Sequence, residues 1–340
     1  IVAKAMAKGS NVDKLAAEFA DELDALGVRV AALEKKADNV KITGQVRFNV
    51  QHNKNLGVKS QRQRLRTRLI FNGKVNDNWT YTARLQNEQF FHRTGTGVSG
   101  VGEEGTDFNW AFVTGRLGGV KVRAGRTWLW AGDGNIYDDT FDGLAASYGK
   151  KVRVGAYYGK PTAANDVWGV APAMDKVYGA NAGVDLGKKA TLDVAYDKFE
   201  ATANDDLSIV SANLYGKVAD KLGLGVIYMH SKSDNAGYIR NGASKNGFVV
   251  TADIAGASFG KPGSWGFCAK YYHAPAGTAV AHTMNGPAGS FFNEGYKGYG
   301  LIASYTFAKN MMYSLQWFDL KGRETDGKRK ALWNEIQLRF

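Results

Sequence analysis

One cysteine, Cys268, stands in the whole chain. That excludes an intrachain disulfide and a thiolate metal cage. Histidine is sparse as well: His52, His92, His230, His273 and His282 show no ligand spacing such as HExxH. No metal and no cofactor is therefore expected. Neither a GxSxG elbow nor a convincing Ser/His pair occurs, so the chain does not read as an enzyme. No apolar run approaches the ~18 residues of a membrane helix. This leaves a spanning β-barrel open, because its strands alternate and their hydropathy is unremarkable. Proline is low, at 5, which suits long strands that cannot spare ladder donors. No signal peptide is legible. The chain opens at Ile1 without methionine, and its true N-terminus is expected upstream or processed.

What the chain has instead is glycine (42), aromatics (12%) and a net charge of +12. Such a charge fits a basic nucleic-acid binder, or cations that line something local. The positions of the cations decide between the two.

The first forty residues form a separate object. From Val12 the apolar positions run Val12, Ala16, Phe19, Leu23, Leu26, Val30, Leu33, Ala37 and Val40, alternating spacings of four and three. That is a heptad seam, which predicts a self-associating coiled-coil stalk over residues 11–40 with Ala16, Phe19, Leu23, Leu26, Val30 and Leu33 in its core. A lone amphipathic helix packed on a globular body would carry a wider stripe drifting at 3.6. Gly27 is a weak point, costing about 1 kcal/mol of helix propensity. The leading "IVAKAMAKGS", residues 1–10, reads as helix ending in a Gly-Ser break.

Past Val40 the period becomes two. "VKITGQVRFNVQ" puts Val46, Phe48 and Val50 on one face and Gln45, Arg47 and Asn49 on the other. The alternation recurs through residues 41–340, broken by tight turns and by longer polar stretches such as 92–106, 159–176 and 274–295. Strands are predicted near 40–52, 60–75, 79–91, 107–117, 120–129, 142–149, 152–159, 176–187, 190–200, 206–218, 222–232, 245–257, 265–274, 295–307, 311–321 and 328–340. About sixteen antiparallel strands, an even number, with short and long connections in turn, describe an all-β transmembrane barrel. A soluble sandwich has shorter strands and no such ordering of loops.

The stretch "SQRQRLRTRLIF" fixes which face is which. Arg62, Arg64, Arg66 and Arg68 recur at every second position. On the lipid face near the midplane each costs roughly 2–4 kcal/mol, so all four must face the lumen. The same rule sends Arg47, Arg84, Lys121, Arg123 and Arg153 inward. The net charge thus becomes partly a property of an inner wall, and no nucleic-acid partner is expected.

Residues 130–143, "WAGDGNIYDDTFDG", are the third long connection and carry Asp133, Asp138, Asp139 and Asp142. Here the chain resembles general bacterial porins, in which the third long loop folds into the barrel and sets acids against an arginine ladder. The resemblance implies an eyelet with those four acids on the loop and arginines on the wall, Arg66, Arg68 and Arg84 being nearest mid-strand. The last strand, "RKALWNEIQLRF", ends at Phe340 on the outward row. That terminus resembles the assembly signal of outer-membrane proteins.

A helical tail, a heptad stalk and a barrel closing on an aromatic, in that order, resemble the S-layer-homology-domain porins of OmpM type. "IVAKAMAKG" is similar to the last helix of an S-layer homology module. The resemblance implies a homotrimer in the bacterial outer-membrane lipid, a periplasmic stalk, passage of small hydrophilic solutes and ions, and tethering to peptidoglycan through the upstream module. The rival expectation is a substrate-specific channel. In it Trp128, Trp130 and Trp168 form a sugar slide, or the arginine row selects phosphate or other anions.

Overall fold

The computed structural model describes residues 19–20, 22, 24–27, 39–95, 100–162, 174–201, 206–233, 244–281, 284–287, 291 and 294–340. The chain divides into two units, Ile1–Lys41 and Ile42–Phe340. In the first, the described residues from Phe19 to Gly27 are helical, and Phe19 and Leu26 are exposed. Ala16, Leu23, Val30, Leu33 and the rest of the predicted stalk lie outside the described residues.

The second unit is a closed barrel in which each strand pairs with its sequence neighbours and the first pairs with the last. The strands are β1 (Val40–Asn55), β2 (Val58–Lys74), β3 (Trp79–Thr94), β4 (Gly102–Leu117), β5 (Val120–Ala131), β6 (Tyr137–Gly149), β7 (Val152–Pro161) and β8 (Met174–Leu186). They continue as β9 (Ala190–Ala201), β10 (Leu207–Ala219), β11 (Leu222–Ser233), β12 (Asn246–Ala255), β13 (Trp265–Ala274), β14 (Tyr296–Ala308), β15 (Met311–Gly322) and β16 (Lys328–Arg339). All sixteen predicted strands are present. β1 and β16 run antiparallel from Gln45↔Arg339 to Asn55↔Arg329. Phe340 finishes the seam: its N–H donates to the Gly44 carbonyl (3.0 Å) and its carbonyl accepts from Gly44 N–H (2.7 Å). Its ring lies where a Gly44 side chain would stand, since a Cβ there would come 2.2 Å from the ring.

Loop lengths depart from the expectation at three places. The β1–β2 connection is only Leu56 and Gly57, both at positive φ (51° and 90°), a two-residue hairpin turn on the long-loop rim. β4 begins at Gly102 rather than 107, which shortens the predicted loop 92–106. β6 begins at Tyr137 rather than 142, so most of the expected third loop is strand.

The outer face is apolar. Val210, Leu224, Val226, Tyr228, Val250, Leu332 and Ile336 are exposed there. Aromatics stand toward both rims, with Tyr148, Trp265 and Tyr305 near the short turns and Tyr158, Tyr228 and Tyr299 nearer the other end.

Most of the buried apolar core lies inside the barrel. Val177, Phe199, Leu207, Ile209, Met229 and Leu320, at 0–1% exposure, face inward from β8, β9, β10, β11 and β15. Two pieces of chain cover them. The first is the β5–β6 hairpin. β4 pairs with β5 only as far as Ala111↔Arg126, and the β6–β7 register begins at Phe141↔Pro161, so residues 127–139 leave the wall. The departure is marked by glycines. Gly125 (φ 119°) stands opposite Gly143, and Gly143 opposite Gly159. A Cβ on Gly125 would meet the Ala111 carbonyl at 2.4 Å. Phe141 packs over Gly143 and Gly159, edge-on to Tyr157 (6.0 Å). At the tip, Gly132, Asp133 and Gly134 all take positive φ, which turns the chain within five residues.

The second cover is the β13–β14 connection. It was expected as a polar loop, yet residues 274–278, 280 and 281 are buried. Val280 and Ala281 donate their N–H groups to the Ile136 carbonyl (2.7 and 3.2 Å), and Asp138 N–H donates to the Ala281 carbonyl (2.8 Å). Tyr137 and Ala281 form a parallel bridge. β14 is eight places from β6 in a ring of sixteen, so this contact crosses the lumen. Buried backbone must be paired, and hairpin and connection supply each other's partners.

Candidate functional site

The two inward pieces leave a cavity of about 1080 Å³ against the β1–β4 and β16 wall. Arg47, Arg62, Arg64, Arg66, Arg68 and Arg84 line it, together with Asp138 and Asp139 on the hairpin. The arginines converge because the register aligns them. Arg66 stands opposite Glu88, Arg68 opposite Gln86, and Arg84 opposite Trp110. A bulge between Gln63 and Arg64 shifts the pairing, and Arg64 faces Phe90.

Each guanidinium has its own spacer. Arg64 donates to Glu88 Oε2 through Nη1 (2.7 Å) and to Asn49 Oδ1 through Nε (3.0 Å). Arg66 Nη2 reaches Gln45 Oε1 at 3.3 Å. Arg68 Nε donates to Gln86 Oε1 (2.6 Å), which also accepts from Asn109 Nδ2 (2.9 Å). Asn109 Oδ1 accepts from Arg84 Nε (2.7 Å). Arg84 is buried and lies 3.5 Å over the Trp110 ring. Arg47 stands 3.8 Å from Glu335 and over Trp333, which Arg64 also covers (5.0 and 5.3 Å). Aromatic faces and amide oxygens thus hold like charges apart in a small space.

The acids distribute differently from the expectation. Asp138, Asp139 and Asp142 sit on strand β6, and only Asp133 is in the turn. Asp138 accepts from Trp128 Nε1 (2.7 Å), and Asp139 accepts from Thr140 N–H (2.6 Å). Asp133 accepts from Trp130 Nε1 (3.2 Å) on the other side of the hairpin. Asp142 makes a half-exposed bidentate pair with Arg126 (2.7 Å for both bonds) and lines neither cavity described here. It lies where the hairpin joins the wall, on the same face as the exposed Leu144 and apart from the arginines of the first cavity.

Lys121, Arg123 and Arg153 belong to a second cavity of about 620 Å³, lined also by Asp133, Asp193 and Asp197. Arg123 Nη2 donates to the Trp128 carbonyl (3.2 Å). Arg153 pairs with Asp185 and, at 3.4 Å, with Asp193. Trp128 and Trp130 line both cavities, because the hairpin stands between them. Trp168 lies outside the described residues.

Sequence reasoning missed two contributions. A bulge at Arg84/Leu85 puts Asn109 and Trp110 on the inner side, where strict alternation fails. The crossing segment adds Ala281, Met284, Asn285 and Gly286 to the cavity lining. Gln51 Nε2 donates to the Asn285 carbonyl (3.3 Å), and Asn285 Nδ2 to Gln316 Oε1 (3.0 Å), which ties the segment to β1 and β15. A signal existed. No Asp, Glu, Lys or Arg occurs between His273 and Glu294, and two of the five prolines, Pro275 and Pro287, fall there.

No protein-family model and no curated protein matches the chain. Solved structures do. A triple-substituted porin of Rhodopseudomonas blastica matches with TM-score 0.52 at 16% identity, covering 88% of this chain and 100% of that one. OprB of Pseudomonas putida, in a low-pH structure, matches with TM-score 0.56 at 13% identity, covering 93% and 97%. OmpF of Salmonella typhi, in complex with daunomycin, matches with TM-score 0.58 at 11% identity, covering 88% and 97%. The likeness is one of architecture: this chain has the closed 16-stranded antiparallel fold found in bacterial porins.

Proposed function

We propose that the protein is an outer-membrane channel through which small hydrophilic solutes and ions diffuse. The observation that carries this is the arginine wall facing Asp138 and Asp139 across one cavity inside a porin-fold barrel. Opposed charges across a narrow wet gap make a transverse field. Polar solutes align in it and exchange water for fixed charges, while apolar solutes disrupt ordered water. In about 0.15 M salt the Debye length is about 8 Å, so the field acts at the constriction and fades beyond it. The apolar outer face with aromatics toward both rims suits lipid. In this reading Arg47, Arg62, Arg64, Arg66, Arg68 and Arg84 are the basic side of the eyelet.

The reading extends to a homotrimer on a periplasmic coiled coil over residues 11–40, with residues 1–10 ending a module that tethers the longer protein to peptidoglycan. The heptad spacing supports the stalk. Purified protein in planar bilayers tests the channel: three equal conductance steps per insertion are expected, and no conductance overturns it. Deleting residues 12–40 is expected to weaken subunit association in native electrophoresis and leave conductance per pore unchanged.

A substrate-specific channel is the second reading. It is favoured by Trp110, Trp128, Trp130 and Trp333 lining the same cavity as the arginines. Block of the current by one solute at micromolar concentration would establish it.

A further inference from the structure

We infer that Arg66 and Arg68, whose Cα atoms are about 7 Å apart along one strand, form a two-point site for small organic dianions long enough to bridge the pair. The inference rests on the channel reading for its purpose but not for its geometry. Both side chains line the 1080 Å³ cavity, a volume at the large end of small-molecule sites.

Among the described residues, the two arginines differ from Arg47 and Arg64 in having no carboxylate to neutralise them, and from Arg84 in having no aromatic ring against them. Arg64 holds the Glu88 carboxylate at 2.7 Å. Arg47 has Glu335 at 3.8 Å. Arg84 is sandwiched on Trp110 and tied to Asn109. Arg66 and Arg68 have no ion-pair partner within 4.0 Å among the described residues. The register sharpens the point. Glu88 stands directly opposite Arg66, yet its carboxylate is turned to Arg64. Arg66 is left with the neutral Gln45, and Arg68 with the neutral Gln86, which Asn109 also engages.

Two adjacent guanidinium forks with only amide acceptors repel each other. A carboxylate on each removes that repulsion and matches the fork in geometry. A monoanion neutralises one fork and leaves the other. A dianion too short to bridge the pair does the same. Recognition should therefore depend on the distance between acid groups as well as on total charge. Trp130, half-exposed, lines the same cavity.

The test is calorimetric titration of the folded, detergent-solubilised full chain with three probes. These are adipate, whose extended six-carbon chain bridges the pair, succinate, whose four-carbon chain does not, and hexanoate, a monoanion of adipate's length. Adipate is expected to bind about tenfold tighter than either, the worth of one added charge-assisted contact. Arg66→Gln with Arg68→Gln is expected to abolish the difference. Arg66→Lys with Arg68→Lys keeps the charge and the fold but lacks the forks, and is expected to bind the two dianions alike. Equal binding of adipate and succinate by the native chain overturns the site, as does a full adipate preference in the Lys variant. Conductance in potassium chloride is recorded separately. A chain that prefers adipate but passes no current refutes the channel and keeps the site, and a conducting chain without the preference does the reverse.

Discussion

Two sectors of one inner wall behave as opposites. On β1–β4 and β16 the inward row is Arg47, Arg62, Arg64, Arg66, Arg68, Arg84, Glu88 and Glu335. On β8–β15 the inward residues that lie under protein are Val177, Phe199, Leu207, Ile209, Met229, Tyr272 and Leu320, while Asp193 and Asp197 of β9 line the second cavity. Strand geometry is the same in both. What differs is the neighbour. The first sector faces an open cavity, and the second lies under the β5–β6 hairpin and the β13–β14 segment. Apolar surface under protein gains about 25 cal/mol per Å², whereas unpaired charges there would cost several kcal/mol each. The inward row therefore records the solvent it meets, water on one side of the lumen and protein on the other.

The contrast breaks most visibly if the cover is removed. Replacing residues 276–287 with a short Gly-Ser linker should turn the apolar sector into lumen wall, raise single-channel conductance severalfold and lower stability to urea. Unchanged conductance would mean that the segment does not narrow the path. Next in size, Arg66→Glu with Arg68→Glu should convert the other sector, moving the zero-current potential in a salt gradient toward cation preference. A potential that stays put would separate those arginines from the constriction. Phe141→Ala should cost about 3–5 kcal/mol in reversible unfolding in detergent, because its buried ring anchors the hairpin over Gly143 and Gly159. A loss near zero would show that the hairpin is held elsewhere. The smallest effect is expected at Asp142→Asn. Its half-exposed pair with Arg126 is worth less than about 1 kcal/mol, and it lines neither cavity described here, so selectivity should not move. A selectivity change there would place Asp142 in the path after all.

The strand count, nearly every strand boundary and the convergence of Arg62, Arg64, Arg66 and Arg68 were legible at period two. Lipid outside and water inside force alternation on each strand by itself, so one strand's residues suffice. Asn109 and Trp110 were not legible, because a bulge between Arg84 and Leu85 shifts the register by a residue that the pattern does not mark. The acidic stretch around Asp138 and Asp139 was recognised as turning inward. That it does so as a β-hairpin was hidden, since an inward hairpin and a wall hairpin alternate alike. The β13–β14 connection was hidden for the opposite reason. Its uncharged run looked like loop, and only the Ile136 carbonyl and the apolar wall give it somewhere to lie.

Taken alone, the sequence determined the sixteen strands, the outward and inward faces of the first three, and the helical period before Val40. These follow from local periodicity, which each segment carries without its neighbours. Only the tertiary structure decided that the lumen is divided, that six of the nine predicted cations share a cavity while Lys121, Arg123 and Arg153 share another, and that Asp138 and Asp139 line the first cavity while Asp133 lines the second and Asp142 neither. Those outcomes depend on where the hairpin bends at Gly125 and Gly143 and on what it packs against, Phe199 and Ala281, far away in the chain.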